Sequence, residues 1–103
     1  MGTEVSILRF KEFMKAIQSD GRIGATHIAI YAALLMCWRE SDHQQPLIVY
    51  SYEVMKIAKI RAPSTYYSGL ADLHEFGYLR YEPSFNKYKG SRIYLNKVLA
   101  DGK

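Results

Sequence analysis

Leu8, Phe10, Phe13, Met14 and Ile17 recur at helical spacing with Arg9, Lys11, Glu12 and Lys15 between them, which predicts an amphipathic helix over residues 5–19. Ser19, Asp20 and Gly21 close it, because glycine suits the position just past a helix and aspartate favours turns. Residues 25–39 are apolar on almost every side, with Ile30, Leu34 and Trp38 on one stripe and Tyr31 and Leu35 beside it. A helix of that kind belongs in a core or at a subunit interface. The polar stretch that follows reads as a loop, ended by Pro46.

Leu47, Ile48, Val49 and Tyr50 form a short β-branched and apolar run, which predicts a strand over residues 47–50. Ser51 then reads as the cap of a helix over residues 52–59, with Glu53 in its first turn and Val54, Met55 and Ala58 inward. Ala62 offers no side-chain acceptor at the next cap position, but Pro63 suits the first position of a fourth helix over residues 63–76, which stops at Gly77. On that helix Tyr66, Leu70 and Leu73 share the buried side. Ser64, Ser68, Ala71 and Glu75 face away, and Thr65, Tyr67 and Asp72 flank them. Tyr67 sits at the edge of the buried stripe and suits either environment. Residues 78–82 and 91–95 read as strands joined by a polar loop punctuated by Pro83 and Gly90, a hairpin with a long tip.

The predicted class is therefore mainly α with a small antiparallel sheet (α+β), a single domain over residues 1–103. From Leu47 onward the order is strand, helix, tight turn, helix, hairpin, which is the layout of a winged helix-turn-helix carrying an extra N-terminal helix. In that layout the second helix projects its outer face into a major groove, and the wing, here residues 82–92, reaches adjoining backbone or minor groove.

Several short stretches also carry a likeness: Gly21-Arg22-Ile23, Thr26-His27, Lys59-Ile60, Ser64-Thr65-Tyr66, Leu73-His74-Glu75-Phe76-Gly77-Tyr78, Tyr81-Glu82-Pro83-Ser84 and Lys89-Gly90-Ser91. Together they resemble a group of small bacterial winged-helix proteins, regarded as transcriptional regulators and often carried on mobile elements. The likeness spans roughly three quarters of the chain. Residues 51–79 alone are similar to the broader pattern of MarR-like and GntR-like regulators. The resemblance implies the winged-helix fold and DNA binding; it implies no ligand and no operator.

Charge sharpens this picture. Residues 1–24 carry a net charge of +1, residues 25–55 of −2 and residues 56–103 of +5, so the positive charge lies where the helix-turn-helix and hairpin are expected. Arg61 before the fourth helix, Arg80 after it, and Lys87, Lys89 and Arg92 in the wing suit a grip on DNA backbone. The fourth helix itself has no Lys or Arg, which argues against guanine readout by a bidentate arginine. Its Ser64, Thr65, Tyr67 and Ser68 are the candidates for contacts to phosphates or base edges. A solvated hairpin tip would carry the same lysines, and a solvated helix face the same hydroxyls; the layout around them favours the DNA reading. The wing aromatics Phe85 and Tyr88 suit anchoring the loop better than stacking on nucleotides.

Other chemistry has little to stand on. His27, His43 and His74 are scattered, and the one cysteine, Cys37, lies in an apolar run, so no metal and no cofactor is expected. No paired nucleophile and base or phosphate-cradling glycine loop is present, so no enzyme and no small-molecule ligand is expected. No leader is recognisable and the run ending at Trp38 is too short to span a membrane, which predicts a cytoplasmic, nucleoid-associated protein. The expected partner is double-stranded DNA, bound by a monomer or by a homodimer made through the first or second helix. A winged helix that binds protein and not DNA is the competing reading, because a fold alone does not fix function.

Overall fold

In the computed structural model, which describes residues 2–84 and 89–95, the chain is α+β, with four helices and a three-stranded antiparallel sheet. The elements run α1 Gly2–Ile17, α2 Ala25–Glu40, β1 Leu47–Val49, α3 Ser51–Ala58, α4 Pro63–Glu75, β2 Arg80–Glu82 and β3 Ser91–Tyr94. The nearly all-apolar α2 runs through the middle, touched by α1, α3, α4 and β1. Its Ile30, Leu34 and Trp38, on one stripe, and Tyr31 and Leu35 beside it are all buried in the core cluster.

Aromatic rings hold α1 to this centre. Phe13 stacks flat on Tyr31, with centroids 3.9 Å apart and planes 9° from parallel. Tyr78, just past α4, meets the same Phe13 ring edge-on at 5.4 Å. Such pairs add about 1 kcal/mol each beyond the area they bury. The Tyr78 hydroxyl donates to Asp20 Oδ2 at 2.6 Å, and Arg22 holds both oxygens of that carboxylate at 2.8 Å. The α1–α2 turn and the exit of α4 are thereby tied to one acid.

Helices α2, α3 and α4 end alike. In each, the chain turns left-handed, at Asp42, Lys59 and Gly77 with φ of 63°, 64° and 87°, and after α2 His43 is left-handed too, at 61°. The next N–H then reaches back to a last-turn carbonyl: His43 to Trp38 at 2.8 Å, Ile60 to Met55 at 3.0 Å, Tyr78 to Leu73 at 2.9 Å. Only Gly77 adopts this conformation without steric cost.

The sheet has the order β1-β3-β2, with Leu47 opposite Ile93, Val49 opposite Ser91, and Glu82 opposite Arg92. Leu47, Val49 and Ile93 face the core. The Gln45 side chain prolongs the β1–β3 ladder, donating to the Leu95 carbonyl at 3.2 Å and accepting from its N–H at 3.4 Å.

The boundaries depart from the sequence reading in places. Ser51 is the first residue of α3 and not its cap, because the Tyr50 carbonyl already accepts from the N–H groups of Glu53 and Val54. Tyr50 therefore leaves the strand as the cap, and Lys59 lies beyond the helix as its left-handed end. Helix α1 starts earlier and stops at Ile17, where the chain turns toward Asp20; α2 gains Glu40. Tyr78 and Leu79 precede β2, since Tyr78 is spent on ending α4. Phe85, Lys87 and Tyr88 lie outside the described residues.

Gly90 enters β3 at φ 69°, where an added Cβ would stand 2.9 Å from the Val49 carbonyl oxygen and 3.0 Å from Ile48 Cγ2. Gly90→Ala is expected to lower unfolding free energy in urea by about 2 kcal/mol, from left-handed strain plus the clash with strand backbone. Asp20 gives a second expectation. The bonds from Arg22 first, and Tyr78 next, hold its carboxyl well below the usual carboxylate range. A depressed folded value means that the contact stabilises the fold above an unfolded pKa of about 4 and is lost as pH falls below it. Asp20→Asn should lower stability at neutral pH and flatten the loss of stability on acidification, read by denaturant titrations from neutral to acid.

Candidate nucleic-acid interface

Pro63 starts α4 with a missing N–H, and the Ala62 carbonyl accepts from Thr65 and Tyr66 at 3.1 and 3.2 Å, so a first turn forms without a side-chain cap. Tyr66, Gly69, Leu70 and Leu73 then face inward. The approach to α2 is close at Gly69, where an added Cβ would lie 2.6 Å from Ile30 Cδ1. The opposite side of the helix is consequently free. Ser64, Thr65 and Ser68 are all exposed, and with Thr26 and His27 of α2 they line a shallow groove. Tyr67, which suited either environment, is 44% exposed with its ring edge-on to buried Tyr66 at 5.0 Å.

One wall of the groove was not legible as a site. His27 Nδ1 accepts from the Gly24 N–H at 2.9 Å, closing the start of α2, and its other nitrogen, Nε2, lies 2.9 Å from Asp72 on α4. An acceptor at Nδ1 places the proton of neutral imidazole on Nε2, which donates to Asp72. This pair braces α2 against α4 and occupies an acid that would otherwise stand free beside the hydroxyls. Both ring nitrogens of His27 are engaged in these two bonds. The three-residue spacing from Gly24 to His27 is a capping pattern and was the available signal; Asp72, 45 residues on, had none.

The cations lie on neighbouring elements. Arg61 is exposed in the connector between α3 and α4, next to left-handed Lys59. Arg80 and Arg92 share the outer face of the sheet with Glu82 between them. Arg80 pairs closely with Glu82, and Arg92 Nη1 sits 3.7 Å from its other oxygen. Two arginines and one carboxylate leave a net single positive charge there, less than a count of basic residues conveys. Arg80 also lies over the Tyr94 ring, 4.9 Å from its centroid. Lys89 is exposed at the return of the hairpin, and Lys87 belongs to the undescribed residues. The hairpin is fixed to α4 by the Tyr81 N–H, which donates to His74 Nδ1 at 3.0 Å.

Among the described residues no three His, Cys, Asp or Glu side chains gather where they could hold a metal ion, and no helix is long and apolar enough to cross a membrane. Burial pushes the Cys37 thiol up, with Glu53 and Glu40 adding to the shift, so the thiolate is disfavoured. No protein-family model, no curated protein and no solved structure matches this chain.

His27→Ala removes both bonds of the brace. A loss of about 1–2 kcal/mol is expected in urea, at roughly 1 kcal/mol per bond, with faster hydrogen exchange at the Gly24 amide. Asp72→Asn should leave Gly24 exchange nearly unchanged, since Nδ1 still accepts from it.

Proposed function

We propose that this chain is a winged-helix DNA-binding protein in which α4 lies in a major groove and the β2–β3 hairpin serves as the wing on adjoining backbone. The observation that carries the reading is the exposed hydroxyl row Ser64, Thr65 and Ser68, on a helix whose flanks present exposed Arg61, Arg80, Lys89 and Arg92. Helix α3, a four-residue connector, α4 and a hairpin bonded to α4 follow in the order such a module uses. The role that fits is that of a transcriptional regulator, or an accessory factor in the excision or replication of a mobile element, acting on the bacterial nucleoid. No catalytic step and no cofactor belongs to this reading.

Affinity and sequence discrimination have different sources on this surface. The cations supply counterion release, which is indifferent to sequence. The hydroxyls of α4 and Tyr67 make the shorter-range contacts, with no arginine to claim a guanine. The competing reading, a protein partner on α4, draws on the same uncharged helix face, and salt separates the two.

Random duplex DNA, titrated by fluorescence anisotropy over a salt series, should bind in the micromolar range with log K falling linearly in log salt. The double variant Lys89→Ala/Arg92→Ala should reduce that slope by about 1.8, at roughly 0.9 per phosphate contact. An unchanged slope takes the hairpin out of the interface. Absence of binding at any salt sinks the DNA reading and leaves the protein partner.

A further inference from the structure

Away from the α4 groove, the C-terminal half of α2, strand β1 and helix α3 enclose a second groove. Its apolar lining includes Met36, Ile48 and Ile57, between 40% and 51% exposed. Glu40 and Glu53 also line it, both close enough to Cys37 to help push its thiol upward. Neither acid forms an ion pair among the described residues. An exposed apolar surface with two unpaired carboxylates calls for an occupant with apolar side chains and cations.

The chain itself carries such a surface on α1. Ile7 and Leu8 are 50% and 58% exposed, and Lys11 and Lys15 follow on the same side of the helix at three- and four-residue steps. Neither lysine has an acid partner among the described residues. This face cannot turn into the chain's own groove, because the opposite side of α1 is committed to α2 through Phe13, fully buried against Tyr31. The complementary surfaces therefore meet only between copies.

We propose that a second copy of this chain fills the groove, laying Ile7 and Leu8 of its α1 on Met36, Ile48 and Ile57 and bringing Lys11 and Lys15 to Glu40 and Glu53. The contact is repeated about a two-fold axis, so each copy gives one helix and receives one. Repetition matters because one helix in one groove buries less than the roughly 1,200 Å² or more of a stable interface. Along α2, Cys37 in this groove lies about 15 Å from His27 in the other, at 1.5 Å per residue, so dimerisation leaves the Ser64–Ser68 row open.

The test is charge exchange, read as mass by sedimentation equilibrium over a concentration series. The wild-type chain should reach twice its monomer mass. Lys11→Glu/Lys15→Glu and, separately, Glu40→Lys/Glu53→Lys should each raise the dimer dissociation constant about tenfold or more, since like charges then face each other. An equimolar mixture of the two variants should recover the dimer, because both of its contacts become complementary again, and that recovery also shows that each variant is folded. A wild-type chain that stays monomeric at every concentration overturns the proposal. So does a dimer insensitive to both reversals, or one that mixing fails to restore. None of these outcomes depends on DNA, whose binding is read separately by anisotropy.

Discussion

A helix that is apolar on nearly every side persists in water only if other elements cover it, and α2 is such a helix. Phe13 of α1, Val54 of α3, Tyr66 and Leu70 of α4, and Leu47 and Val49 of β1 all join the core built around it. Each neighbour spends one face on α2 and is left with the other, so the surface is decided largely by what α2 consumes. Gly69 shows how tight the demand is, since α4 comes near enough that a single added carbon would meet Ile30. A larger residue there requires the buried Ile30 side chain to shift.

From that crossing follow the properties of the α4 groove. The inward side of α4 is apolar and tyrosine-rich, the outward side is hydroxyl-rich, and the His27–Asp72 bond sets how the start of α2 stands beside it. The hairpin inherits its position from the same helix through the Tyr81–His74 bond and through Tyr78, which ends α4 and also touches Phe13 and Asp20. Burial and the bond to Asp20 push the Tyr78 hydroxyl up to about 12, so it stays a donor over the ordinary pH range. Helix α4 and strand β2 are thus tied to each other and to the core.

Periodicity made the four helices and the inward and outward sides of α4 legible, because burial at a spacing of 3.6 residues leaves a pattern in any sequence. It did not reveal helix ends that use unusual residues. Gly77 was readable as a left-handed stop, whereas Asp42 and Lys59 do the same work without the steric freedom that makes glycine a signal. Ser51 looked like a cap by residue type, yet backbone bonding to Tyr50 decided the start of α3. The cations were legible as a count but not as a balance: only strand register brings Arg92 opposite Glu82, on the face that Arg80 shares. His27 with Asp72, and the two acids of the α2–α3 groove, join distant parts of the chain, which no local spacing records.

The uncharged outer face of α4 constrains how a protein of this design would tell one DNA site from another. Hydroxyls give weaker and less selective base contacts than a bidentate arginine, so on the proposed function one copy would discriminate modestly however firmly its cations held the backbone. Two routes to greater discrimination remain. One is the shape and stiffness of the duplex, which would be read without base contacts. The other is doubling: mismatch penalties of about 1–3 kcal/mol per base pair accumulate over two half-sites at a fixed separation. A two-fold contact through α1 and the acidic groove would supply that separation while leaving both α4 faces open. On the proposed function, a reciprocal contact between copies would thus offset the weak reading of a single helix.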